Sequence, residues 1–386
     1  MNEGGPDSRR FCFVMPFHMR EGRGGGAEVQ AWLLATELAR RGFEVSYIAQ
    51  SVQGKAGQRE SIDGVTVRWV RYAHHFRWSN GASYYRALSK LSPDVVVQRM
   101  TSFMTGVAGL WCRLNGARFI WVCTDNESPR RWLFWRKQLQ LNRKHRPGLA
   151  KQGVFLVNAL VMDLSRHWGM NQVSQAFTQS EEQEGLLERA FGLTSRRMIS
   201  GHPVPESVLS PAERLKGGIV LWVADLGPRK RPEKFLELAR LGRDYPLRFV
   251  MVGGRDDPQY VRALFEDKPD NLEWVGRLPF DETLAWFDRA AFFVNSSKSE
   301  GFPNTFIQAW LRGVPVLTLE IDPDGVIARN DLGIVRNDIA GLLGAASSLS
   351  GDIARYTEMS NNAVRYAAAN HSVEKMADRF IDSLPT

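Results

Sequence analysis

Residues 299–315 read SEGFPNTFIQAWLRGVP. Just ahead of them, residues 291–295 (AFFVN) have the length and apolar content of a buried strand, and residues 314–317 (VPVL) form another such run. Between the two, residues 304–312 place apolar side chains at helical spacing, so the stretch predicts strand, loop, helix, strand: one parallel βαβ unit. Asn304 is expected as the helix N-cap, with the backbone N–H groups of Thr305, Phe306 and Ile307 directed back into the loop. Positive partial charge gathers at such an end and suits a phosphate, and Gly301 allows the backbone to approach closely. Glu300 is expected at the carboxyl edge of the strand, where open α/β sheets bind ligands and where a carboxylate can accept hydrogen bonds from sugar hydroxyls. Gln308, one turn into the helix, suits ribose hydroxyls.

The same alternation extends in both directions. Towards the amino terminus of this half, strands are expected at 219–223, 247–252 and 272–275, with helices at 232–241, from 259, and at 281–290. In the other half, strands are expected at 11–16 (FCFVMP), 45–49, 65–70, 94–97, 118–122 and 175–178. A helix at 27–41 (AEVQAWLLATELARR) turns Val29, Trp32 and Leu33 inward and Gln30, Glu37 and Arg41 outward, and it stops at Arg40-Arg41-Gly42. Residues 129–168 read as one long or broken helical excursion, interrupted near Pro147-Gly148. The Pro- and Ser-containing stretch 201–211 (GHPVPESVLSP) is a linker. The fold class is therefore α/β: two doubly wound, Rossmann-like domains facing a cleft, residues 1–205 and 206–370. A final helix at 371–386, set off by Asn370-His371-Ser372, crosses back to the first domain.

The chain of 386 residues exceeds what one core usually supports. Its 44% hydrophobic and 24% charged content is globular and excludes a disordered or fibrous chain. Three widely spaced cysteines, Cys12, Cys112 and Cys123, argue against a disulfide framework or structural zinc and for a reducing compartment. The beginning lacks the basic-then-apolar shape of a signal peptide, and apolar runs such as 106–112 fall far short of a membrane span, so a cytoplasmic protein is expected. The net charge of +8 equals the eight Lys and Arg residues between Arg130 and Lys151, a window without Asp or Glu. Trp132, Leu133, Phe134 and Trp135 are interleaved with them. This basic aromatic segment, 129–151, reads either as a solvated face with its aromatics packed inward or as contact with an anionic membrane surface. No pattern supports nucleic-acid binding. His18, His74 and His75 show no metal spacing and are expected in loops or on the surface. Asp322-Pro323-Asp324 reads as a turn rather than a metal-binding carboxylate pair.

The segment 299–315 resembles the EGFPNxxxEAxxxGxPV stretch of the family 4, or group 1, retaining glycosyltransferases, which have the two-domain GT-B architecture. Glu300 falls on the first glutamate of that pattern. Gly301, Phe302, Pro303 and Asn304 fall on its loop, Gln308 stands where the second glutamate would, and Gly313 and Pro315 match its end. The family's GRLxPxK segment aligns with residues 224–230, so that Lys230 falls on its lysine and Asp225 on its arginine, with Arg229 and Arg231 close by. Gly25, Gly26, Ala27 and Glu28 match its GGAE loop. Asp125 matches the aspartate of a His-Asp pair whose histidine is here Thr124, and Arg277-Leu278 resemble the segment lining the base. The resemblance implies a nucleotide-diphosphate sugar as donor, a hydroxyl acceptor (a glycan or lipid-linked glycan), and no metal or other cofactor. Lys230, Arg229, Thr305 and the Gly25-Gly26 backbone would neutralise the diphosphate, and Glu300 would hold the sugar. Two rival readings are open: a non-catalytic nucleotide-sugar binder, and a nicotinamide dehydrogenase suggested by Gly22-x-Gly24-x-x-Ala27. The second lacks the tight turn and the acidic residue after the second strand.

Overall fold

A computed structural model describes residues 9–21, 25–73, 77–145 and 148–384. They divide into two compact units, one running to Ile199 and resuming at Met376, the other spanning Ser200–Lys375. Each unit is a largely parallel sheet covered by helices, as the alternation of apolar runs predicts.

The first unit contains β1 (Arg10–Val14), β2 (Glu44–Ser51), β3 (Arg59–Ile62), β4 (Val65–Arg71), β5 (Val95–Gln98), β6 (Arg118–Val122), β7 (Gln175–Thr178) and β8 (Ser195–Arg197). Their order is β3-β4-β2-β1-β5-β6-β7-β8, and only β3 runs antiparallel, on β4. The central strands β1, β5 and β6 are covered on both faces, which is why they read as unbroken apolar runs. The two polar edge strands, β3 and β8, escape that reading. For β3 the available signal was Asp63-Gly64, whose positive φ angles of 49° and 80° close a two-residue hairpin onto β4. Phe380, from the last helix, packs on Phe11 and Phe177 of this unit.

Two expectations in this unit are corrected. Gln30 and Glu37 on the helix Gly26–Arg40 are buried rather than solvated. Glu37 is held by Arg40 and Arg41, so a paired carboxylate fills a place that periodicity assigned to water. His18 lies in a loop, as expected, but is fully buried rather than at the surface, edge-on to Trp32, Tyr47 and Trp69, and burial lowers its pKa to about 4. His74 and His75 lie outside the described residues. The helical excursion is two helices, Leu133–His145 and Leu149–Met170, the second capped by Gly148, while Pro147 lies outside the described residues.

The second unit contains β9 (Ile219–Val223), β10 (Arg248–Val252), β11 (Leu272–Gly276), β12 (Phe292–Asn295), β13 (Val316–Leu319) and β14 (Gly333–Arg336), in the order β11-β10-β9-β12-β13-β14, with every pairing parallel. This is the doubly wound order, and the winding reverses between the neighbours β9 and β12. Aromatic clusters fill both faces of the sheet: Trp222, Phe235, Phe249 and Tyr356 in one, and Phe287, Phe293, Phe306 and Trp310 in the other. The strand expected at 314–317 begins two residues later, because Gly313 (φ 70°) and Pro315 still belong to the turn. β14, a short edge strand, follows it and was not foreseen.

Candidate active site

The carboxyl ends of β9 and β12 form the switch point of the second unit, and each continues into a loop, 224–231 and 296–303. The two loops are tied together by hydrogen bonds. Ser296 Oγ accepts from the Trp222 indole N–H at 2.9 Å and lies 2.7 Å from the Lys230 carbonyl, to which it donates. The Lys298 amide donates to the Arg229 carbonyl at 2.8 Å, and the Arg231 guanidinium donates to the carbonyls of Ser296 and Ser297. Arg231 itself takes a left-handed conformation, φ 49°, just before Pro232 opens the next helix.

This stitching brings Glu300, Lys230 and Arg229 together. Glu300, with a side chain 8% exposed, pairs with Lys230 through one carboxylate oxygen and faces Arg229 Nη1 at 3.4 Å through the other. Arg229 also donates to the Ser299 carbonyl at 3.1 Å. Arg229 and Arg231 were equivalent candidates from sequence. The structure separates them: Arg231 is engaged by the Ser296 and Ser297 carbonyls and by Glu320, whereas the Arg229 side chain is 55% exposed beside Glu300. Phe302 anchors the loop between Trp310 and His371, whose rings lie 6.2 and 4.9 Å away, so the backbone carrying Glu300 is pinned by apolar contact.

The helix after the loop is Asn304–Trp310, and its N-cap is Pro303, not Asn304. Proline's fixed φ presets the entry to a helix, and Asn304 becomes the first helical residue. The Phe306 amide, expected to point into the loop, instead donates to the Pro303 carbonyl at 3.1 Å. Asn304 and Thr305 are half-buried at the helix start, Gly301 and Pro303 are buried, and Gln308 is buried one turn further on.

Asp225 is exposed, and its carbonyl closes a tight turn on the Gly227 amide. A Cβ on Gly227 would meet Asp225 Oδ2 at 2.9 Å and Arg255 Nη1 at 3.6 Å, so an acid and a base flank this glycine. Arg255 was missed from sequence, although Gly253-Gly254 directly after β10 marked a place of close approach: a Cβ on Gly253 would fall 1.8 Å from the Ala224 carbonyl. Arg277 lies beyond β11, ion-paired with Asp256 at 3.3 Å, and Leu278 packs against the core cluster of Phe306 and Trp310.

In the first unit, Gly25 is the N-cap of the helix Gly26–Arg40, and its amide donates to Glu28 at 2.9 Å. Residues 22–24, the rest of the glycine loop, lie outside the described residues. Asp125 follows β6. Its Oδ1 accepts from the amides of Glu127 (2.9 Å) and Ser128 (2.7 Å), so that oxygen caps a turn. The buried Arg166 donates to the Ser128 carbonyl and holds the turn in place. Asp322 also caps: its carboxylate accepts from the amides of Ile327 and Ala328, as the turn reading expects. The three cysteines are buried and unpaired, and burial raises Cys12 and Cys112 to about 12.

Residues 24–198 match the family model described as Glycosyltransferase Family 4, and residues 217–352 match the one described as Glycosyl transferases group 1. No curated protein is similar enough in sequence to match. Among solved structures, a sucrose-phosphate synthase from Thermosynechococcus elongatus superposes with a TM-score of 0.74 at 14% identity, over 97% of this chain and 98% of that one. Anabaena HepE in complex with UDP and glucose superposes at 0.69 and 13% identity, over 97% and 99%. WaaG, a glycosyltransferase involved in lipopolysaccharide biosynthesis, superposes at 0.66 and 15% identity, over 97% and 98%. At these identities the likeness establishes the GT-B fold.

Proposed function

The chain belongs to the family 4 (group 1) glycosyltransferases, and from that membership we propose that it transfers a hexosyl group, with retention, from a nucleotide-diphosphate donor to a hydroxyl acceptor. The observation that carries the reading is the Glu300–Lys230–Arg229 cluster at the switch point of the second unit, where a carboxylate suited to sugar hydroxyls lies against cations suited to phosphates. In the reaction, the bond from the anomeric carbon to the phosphate oxygen breaks and a bond to the acceptor oxygen forms on the same face. The departing diphosphate oxygen takes the acceptor's proton. Lys230, Arg229 and the backbone amides of Asn304 and Thr305 stabilise the charge that develops on the leaving group. A preorganised donor of that kind contributes about 3–4 kcal/mol to the transition state. Glu300 holds the sugar and favours its cationic character, Gln308 takes the ribose side, and Arg277 with Leu278 takes the base. Gly25 and Gly26 let the backbone at the start of their helix close over the diphosphate, and Asp125, through Oδ2, orients the acceptor.

The acceptor is a glycan or lipid-linked glycan in cell-surface polysaccharide or glycolipid assembly. The exposed cations Arg136, Lys137, Arg143 and Lys151 support a cytoplasmic protein peripheral to an anionic membrane. The reaction is metal-independent in this reading, since cations of the chain take the role a metal would fill. The rival reading, a non-catalytic nucleotide-sugar binder, is favoured by Asp225 standing beside the loop that would cradle the phosphates. Thermal-shift screening of UDP, GDP, ADP and dTDP fixes the donor class. Single-turnover transfer or donor hydrolysis, lost in Glu300→Ala and Lys230→Ala, separates the two readings. An inert wild type that still binds the nucleotide would leave the binder.

A further inference from the structure

The helix Leu149–Met170 presents two very different faces. Ala159, Met162, Asp163, Arg166, Gly169 and Met170 are buried. This side is pressed closely against the helix Met104–Asn115: a Cβ on Gly169 would lie 2.2 Å from the Thr105 carbonyl oxygen, and one on Gly106 would lie 2.4 Å from that of Ser165. The opposite side is therefore fixed in its outward orientation.

On that side Val154, Val157, Val161, Leu164 and Trp168 recur at alternating intervals of three and four residues and form one stripe along the helix. Their exposures run from 37% at Trp168 to 62% at Val157. Leu110 and Leu114, one turn apart on the neighbouring helix, are also exposed. Among the exposed residues of Leu149–Met170, only Lys151 is charged. Single exposed apolar residues need no explanation, but a continuous stripe marks a surface that something covers.

The aromatic run supplies only part of such a surface. Leu133 is buried and Phe134 and Trp135 are half-buried, while Trp132, edge-on to His167 at 4.8 Å, is exposed. The helix Leu133–His145 instead offers exposed Arg136, Lys137 and Arg143.

We propose that the stripe Val154–Val157–Val161–Leu164–Trp168, with Leu110 and Leu114, is a membrane-docking face that lies in the interface of an anionic bilayer, with the cations of Leu133–His145 on its headgroups. It deepens the partner named above by extending the apolar contact from 130–151 onto this stripe, and it does not depend on glycosyl transfer. Charge decides between a bilayer and a second copy of the chain. The window from Arg130 to Lys151 holds eight cations and no acid, so two copies meeting on this face would oppose like charges, whereas an anionic leaflet complements them. Among the described residues no helix is long and apolar enough to cross a membrane, which fits a helix lying in the interfacial plane.

The test is co-sedimentation of the full chain with phosphatidylcholine vesicles containing about 30% phosphatidylglycerol, without nucleotide. Wild type binds. Val157→Ser/Val161→Ser/Leu164→Ser partitions about tenfold less or lower still while keeping its thermal midpoint, because these positions are exposed. Arg136→Glu/Lys137→Glu/Arg143→Glu is also released. The native cysteines are buried, so a fluorophore at Val161→Cys reports the site: brominated lipids quench it and leave one at Lys90→Cys bright. Absent binding by wild type, unchanged binding by the apolar variant, or an unquenched probe at 161 on a bound protein overturns the proposal. So does a wild-type dimer that the apolar variant converts to monomer, which would make the stripe a self-association face. Nucleotide binding measured without vesicles is unaffected by any of these outcomes, so a failure here is distinct from a failure of the proposed chemistry.

Discussion

Lys230→Ala should do two separable things. The Glu300 side chain is 8% exposed and its Lys230 partner 22% exposed, so the pair is intermediate between surface and interior. Removing one partner of a buried pair costs about 3–5 kcal/mol, while breaking a surface pair costs about 0–1. Arg229 remains 3.4 Å from the other carboxylate oxygen, but its side chain is 55% exposed and its hold is weakened by solvent. A loss of about 2 kcal/mol follows, or roughly 4–8 °C in the thermal midpoint of a unit of this size. That cost arises from a stranded carboxylate, so Lys230→Ala/Glu300→Gln should recover most of it: the amide needs no counter-ion. Catalysis should behave oppositely. Lys230 supplies charge where the leaving diphosphate develops its own, and its loss should lower single-turnover transfer by about a hundredfold to a thousandfold, which the second substitution cannot restore. Differential scanning calorimetry and single-turnover assays on wild type and the two variants read the two effects. If the double variant is as unstable as Lys230→Ala, or if Lys230→Ala retains turnover within about tenfold of wild type, the cluster is not organised as described.

Two further outcomes test the frame around the site. His18 is buried among rings, accepts from the Arg20 amide on Nδ1 at 3.2 Å, and has its pKa lowered from 6.5 to about 4, chiefly by burial. A base whose folded pKa lies below its unfolded one leaves stability intact above about 6.5 and removes it as the pH falls from there to about 4, at most about 3 kcal/mol. Urea unfolding of His18→Phe between those limits should therefore show a flatter pH dependence than wild type, and parallel curves would refute the assignment. The buried Arg214 donates from Nη1 to the carbonyls of Phe287, Asp288 and Ala290, closing the end of the helix Phe280–Arg289. Arg214→Met should destabilise the second unit by about 2–4 kcal/mol through three carbonyls that lose a donor, and a change under about 1 kcal/mol in denaturant titration would contradict that role.

What could be read in advance follows from which physical signal each part of the chain emits. Strands buried on both faces, such as Phe119–Val122 within β6, must be apolar throughout, so composition alone locates them. Edge strands carry no such requirement, and β3 (RESI) and β8 (SRR) look like loops until the hairpin or the neighbouring strand is seen. At the site, residue types and spacing indicated Glu300, because a loop ending in a helix constrains which chemistry fits, and the family resemblance indicated Lys230 and Arg229. Spacing could not say that Arg231 would be spent on carbonyls, that Arg255 would arrive beside Asp225, or that Pro303 would cap the helix, since each depends on contacts between segments distant in sequence or on a single ψ angle. The helix Leu149–Met170 shows the limit most clearly. Its apolar residues occur on all sides, a pattern that ordinarily signals complete burial. Only its glycine-mediated contact with Met104–Asn115 fixes which side is core, and so turns an unremarkable apolar helix into one whose outward stripe has to be accounted for.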